Sequence, residues 1–191
     1  MNRAEIISAW YLRINGFFLI QNFVVHRQDN NSRSTEIDLL ALRPPYVFEE
    51  AGGQAENWDP ALISPEDQQR FVAVICEVRR GNTYDPHSIF RPREVMYAIN
   101  RFGVIKKTEA FTTVSELIHR ARYNVTPSFQ IRKLLIGDVL KTTVPPCDFM
   151  LFNDAYAFFR ARADRYRTEK KEAHTLLDAY AMDEILDSEF L

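Results

Sequence analysis

Apolar residues recur along this chain in two periods, and the changes between them mark the elements. In RAEIISAWYLRIN, Ile7, Trp10, Tyr11 and Ile14 fall at helical spacing, which predicts an amphipathic first helix stopped by Asn15-Gly16. FFLIQNFVV reads as a strand rich in aromatic and β-branched residues and STEIDLLALR as a second strand, separated by the turn cluster QDNNSRS. Pro44-Pro45 ends the second of them, because proline cannot donate to a strand ladder. Residues 44–69 form a Pro-, Gly- and acid-rich excursion with a short helix expected near Ser64-Pro65-Glu66. FVAVICEVRR then reads as a buried strand closed by Gly81-Asn82.

IFRPREVMYAINRFG predicts a helix, with Pro92 in its first turn and Gly103 after its end. TTVSELIHRARYN predicts another, capped by Thr113 or Ser115. FQIRKLLIGD and CDFMLFND read as further strands, and residues 152–167 and 169–187 as two closing helices. Three consecutive strands favour antiparallel neighbours, while strands that follow helices allow parallel pairing. The expected fold class is α/β, a mixed central sheet flanked by helices. One domain is expected over 1–167, with the excursion at about 44–69, followed by an amphipathic helix over 168–191 that packs on it or on a partner. The stripe Ala173, Leu176, Leu177 and Tyr180 of that helix is core or a dimer face, so a homodimer is a candidate assembly.

Composition narrows this little: 46% hydrophobic and 13% aromatic residues in 191 supply one sizeable core. No apolar run reaches the roughly 18 residues of a membrane span. Cys76 and Cys147 lie in apolar surroundings with no CxxC pair, as expected of reduced cysteines in a cytoplasmic protein. The four histidines make no zinc pattern. Charge changes the picture more. Residues 79–171 hold 18 Lys+Arg against 9 Asp+Glu, and the rest holds 6 against 17, an asymmetry compatible with a polyanion-binding face.

The candidate chemistry lies where the second and third strands carry acids. Alternation places Ile37, Leu39 and Ala41 on one face of STEIDLLALR, and Glu36 and Asp38 on the other. In VICEVRR, Ile75, Glu77 and Arg79 share a face. If Asp38 pairs beside Glu77, carboxylates gather at one point, which a divalent hard cation such as Mg²⁺ would offset. At "EIDLLAL" and "VICEVRRG" the sequence resembles the PD-(D/E)xK nuclease superfamily, with its restriction-endonuclease-like fold. The resemblance spans roughly the first hundred residues as an order of elements and about twelve as motif. It implies Mg²⁺-dependent (or Mn²⁺-dependent) hydrolysis of DNA phosphodiesters. Asp38 and Glu77 would be the metal ligands, with the Val78 carbonyl assisting. Arg79 stands at the lysine position, Glu36 is an outer candidate, and Glu5 falls at the position of a helix acid.

Arginine stays protonated at ordinary pH, so Arg79 can hold a phosphate or hydroxide but cannot act as a general base. Lys133, in QIRKLLIG, is the lysine that would enter the site from another element. The alternative is a catalytically inactive module of the same fold that binds nucleic acid or a protein. Nucleic-acid contacts are expected from Arg80, Arg91, Arg93, Lys133, Arg162 and Arg165. The basic clusters HRARYN and RARADRYRTEKK, residues 119–124 and 160–171, point to the same surface.

Overall fold

The computed structural model describes residues 2–25, 35–48 and 57–165. The turn cluster, residues 49–56 of the excursion and the expected closing helix over 169–187 lie outside the described residues.

Helix α1 (Arg3–Ile14) starts in a capping box: the Asn2 side chain accepts from the Glu5 amide, and Glu5 accepts from the Asn2 amide. Glu5 is thereby engaged at the helix start. Strands β1 (Phe18–Val25), β2 (Thr35–Arg43) and β3 (Phe71–Arg79) form an antiparallel meander. Helices α2 (Pro92–Phe102) and α3 (Lys107–His119) follow, then strands β4 (Arg122–Thr126), β5 (Phe129–Gly137) and β6 (Asp148–Leu151), then helix α4 (Phe152–Arg165).

The sheet is mixed and six-stranded. β5 lies parallel to β3, with Ile75 level with Lys133 and Glu77 level with Leu135. The far side of β5 serves two partners in succession. Antiparallel β4 covers Phe129–Arg132, and parallel β6 covers Leu134–Gly137. Two helical layers bury the sheet. On one face Leu39, Ala41, Val74 and Cys76 pack with Trp10, Leu12 and Phe159 of α1 and α4. On the other, Leu40, Ile75, Ile131 and Leu135 pack with Val95, Ala98, Val114 and Leu117 of α2 and α3.

Several sequence expectations need correcting. Thr113 and Ser115 do not cap α3. They lie inside it, their hydroxyls donating to the carbonyls of Glu109 and Phe111 four residues back, and Lys106 stands at the N-cap. The basic stretch RYN is not helical but begins β4, whose exposed and half-buried residues alternate. The CDFMLFND strand is shorter than read, since Phe152 already begins α4. The described part of the excursion contributes to the core through a few residues while Tyr46 and Phe48 stay exposed. Trp58, Leu62 and Ile63 pack on the α1 face, and the 3-10 turn Glu66–Gln69 follows. These three core residues therefore pack on the face opposite Glu77. No helix among the described residues is long and apolar enough to cross a membrane.

Candidate functional site

The strict alternation expected of β2 fails at Asp38, and that failure makes the site. Ile37 joins the core on the α2–α3 side, together with Phe23 of β1. Leu39 and Leu19 join the core on the other side. The expectation that Ile37 shares a face with Leu39 is thus overturned. The change of face occurs at one level of the hairpin. Gln21 pairs with Leu39 and Phe23 with Ile37, but Asn22 and Asp38 between them do not pair. Asn22 has φ 50°, a left-handed conformation that a short polar residue tolerates.

Freed from the pleat, Asp38 takes over where the β2–β3 ladder stops after Leu39–Cys76. Its Oδ2 accepts from the Val78 amide at 2.7 Å, in place of a strand carbonyl. Arg79 then folds back along its own strand. Its Nη1 donates to Asp38 Oδ2 and to the Val78 carbonyl, both at 2.7 Å, and its Nη2 donates to Glu77 Oε2 at 2.6 Å. Three oxygens, from Asp38, Glu77 and Val78, therefore converge on one guanidinium. Arg79 rather than Arg80 fills this place because Glu77 and Arg79 project from the same side of β3.

The site is mostly withdrawn from water. The side chains of Glu77, Asp38 and Arg79 are 2%, 14% and 25% exposed. Burial pushes the Glu77 carboxyl well above its ordinary range, Asp38 pushes it further, and Arg79 opposes the shift. Burial alone would lower Arg79, but Glu77 and Asp38 outweigh it and raise its pKa. Glu94, in the first turn of α2, adds to the upward shift of Glu77. It is itself buried, pairing with Arg91 and accepting from the Arg91 amide at 3.3 Å. Sequence reading missed Glu94 as a neighbour of this site. Its place three residues after Arg91 marks it only as a helix-start residue, and its approach to Glu77 depends on how α2 docks.

No family model, curated protein or solved structure matches this chain. Geometry alone speaks for the site. Its oxygen donors suit a hard cation in kind, with two carboxylates and a peptide carbonyl. Among the described residues, no group of three His, Cys, Asp or Glu side chains comes together to hold a metal ion. The cationic position among the three oxygens is taken by the guanidinium of Arg79.

The remaining candidates scatter. Glu36 is exposed and stands outside the cluster. Lys133 stands on the Glu77 face of the sheet, level with Ile75, but donates no hydrogen bond to Asp38 or Glu77. Its ammonium is fully buried, lacks a hydrogen-bond partner among the described residues and lies 5.7 Å from the centre of the Phe90 ring. Desolvation lowers its pKa to about 8, with Cys147 opposing. Arg162 is also buried, over the Trp58 ring and bonded to the Asn57 carbonyl. Neither Lys133 nor Arg162 presents its charge to a nucleic acid from these positions. Arg80 pairs with Asp138 at 2.9 Å and covers the Phe152 ring, while Arg165 donates to Asn57 Oδ1 at 3.2 Å. Arg91 lies close enough to the site for Glu77 to raise its pKa, and Arg93 lies 5.7 Å from the Tyr97 ring centre on α2.

Proposed function

We propose that this chain is a nuclease-like protein of the PD-(D/E)xK type that hydrolyses DNA phosphodiesters with Mg²⁺ or Mn²⁺. The observation that carries the reading is the convergence of Asp38 Oδ2, Glu77 Oε2 and the Val78 carbonyl on one guanidinium. A mixed sheet between helices, the fold implied by the motif resemblance, supports it. The same three oxygens would hold the cation, with Arg79 turning outward through its exposed side. The bound ion would supply Lewis acidity toward a phosphoryl oxygen and a water of lowered pKa. Arg79, always protonated, would then grip a phosphate oxygen and stabilise charge on it. Arg91, at the N-cap of α2, would extend that grip on this reading. Glu77 holds a proton more tightly than an ordinary carboxylate, so cation binding competes with protonation.

The test is a calorimetric titration of Mn²⁺ into the wild type and into Asp38→Ala/Glu77→Ala, followed by assays on single-stranded, duplex and branched DNA. Binding that strengthens from pH 6 to 8 and vanishes in the double variant supports the reading. No binding to a wild type that is folded by circular dichroism sinks it.

One observation favours a second reading, an inactive module of the same fold that binds nucleic acid or a protein. Arg79 already pairs with both carboxylates, and the Lys133 ammonium donates no hydrogen bond to either. On that reading DNA binding is unaffected by EDTA and by Asp38→Ala.

A further inference from the structure

On the α1 side of the sheet, away from the carboxylates, lies an apolar groove of about 580 Å³. Trp10, Phe17, Phe18, Tyr46, Val47, Phe48 and Trp58 form its walls, and Arg13 is its only ionisable cation. Phe18, Tyr46 and Phe48 are 71%, 77% and 72% exposed. Three aromatics together at that exposure make the kind of patch a soluble surface rarely leaves open.

We propose that this groove is the docking site of the chain's own segment 168–191. Sequence eliminates the other segments outside the described residues. Residues 26–34, HRQDNNSRS, carry no apolar side chain, and 49–56, EEAGGQAE, carry none larger than alanine. By contrast, 168–191 carries Leu176, Leu177, Tyr180, Met182, Ile185, Leu186 and Phe190.

Connection points the same way. The last described turn of α4 contacts one wall residue and its neighbour. Arg162 lies 5.2 Å from the ring centre of Trp58, a wall residue, and Arg165 bonds the neighbouring Asn57. Residues 166–191 continue the chain from that end. Charge agrees as well. Arg13 lies 4.6 Å from the Trp10 ring centre, and burial depresses its pKa. The stretch DAYAMDEILDSEFL brings five acids and no base to it.

Trp10 and Trp58 are the chain's two tryptophans, and both line this groove, so tryptophan emission responds to what occupies it. The experiment compares the full-length wild type with full-length Leu176→Asp/Leu177→Asp/Ile185→Asp by tryptophan emission, acrylamide quenching and light scattering. The expected result is a red shift and stronger quenching in the variant, with both proteins monomeric. The reciprocal variant Phe18→Asp changes an exposed side chain, and it should speed hydrogen exchange across 176–190. Unchanged emission in the triple variant together with unchanged exchange in Phe18→Asp overturns the proposal. A wild-type dimer that the triple variant converts to monomer also overturns it, because the segment then docks on a second copy.

Discussion

At the residue scale, the proposed cation site depends on the guanidinium of Arg79 yielding its place. It is held by two carboxylates and a carbonyl, and a planar fork suits that arrangement better than a point charge does. Lysine at this position cannot bridge Asp38 and Glu77 in the same bidentate way. Arg79→Lys is therefore expected to bind Mn²⁺ more tightly than the wild type, by about tenfold if one charge-assisted hydrogen bond is lost. Calorimetry measures this directly, and weaker binding in the variant would contradict the guanidinium's blocking role. Glu77 makes a second prediction. Its folded pKa lies above its unfolded value of about 4.3, so between the two the folded protein holds a proton that the unfolded chain has released. Stability contributed by Glu77 is thus fully present below that unfolded value and is lost as pH rises toward the folded one. Glu77→Gln should show a flatter decline in urea midpoint from pH 5 to 8 than the wild type.

At the scale of elements, the hairpin and the helices were legible and the site's geometry only in part. The apolar period over 3–14 and the run over 71–79 identify α1 and β3, because each needs only a local pattern. Gly103 at φ 68° ends α2 where the sequence placed its stop. The change of face at Asp38 was not legible, because it arises from two residues on neighbouring strands failing to pair. The start of α3 was misplaced because Thr113 and Ser115 resemble caps, yet their hydroxyls bond back into the helix. Another close fit tied to the site is Gly137, level with Arg79 on β5. A Cβ there would stand 2.7 Å from the Arg79 carbonyl oxygen, a backbone atom that cannot swing aside. Gly137→Ala should therefore push the end of β3 away and cost about 1–3 kcal/mol. It should also weaken Mn²⁺ binding if Arg79 and Glu77 belong to a cation site. Thermal denaturation and calorimetry read the two effects separately.

At the scale of the whole molecule, the segment 57–70 joins the sheet to α1 through buried polar contacts as well as apolar ones. Asp59 accepts from the Tyr11 hydroxyl at 2.7 Å, and Asp67 pairs with Arg132 at 2.9 Å where both side chains are essentially without solvent contact. Burial by itself would raise the Asp67 carboxyl. Arg132, the Ser64 amide and Arg70 outweigh it and bring the pKa from 3.8 down to about 2. A carboxylate with a depressed pKa stabilises the fold above its unfolded value, and that contribution is lost as pH falls toward the folded one. The size here is about 2 kcal/mol, lost between roughly pH 4 and pH 2. Removing the carboxylate alone leaves the guanidinium of Arg132 buried beside Gln130 and the Leu62 carbonyl without its counter-charge. Asp67→Ala should therefore cost about 3–5 kcal/mol at neutral pH, while Asp67→Leu/Arg132→Met should recover much of that loss, because an apolar pair of similar volume carries no desolvation cost. Urea unfolding at pH 7 and at pH 3 separates the cases. The double variant should lose less stability on acidification than the wild type, and an equal loss would mean that other carboxylates govern the acid response. The Mn²⁺ affinity of the double variant should match the wild type, because Arg132 points to the α1 face while Glu77 and Arg79 point to the other.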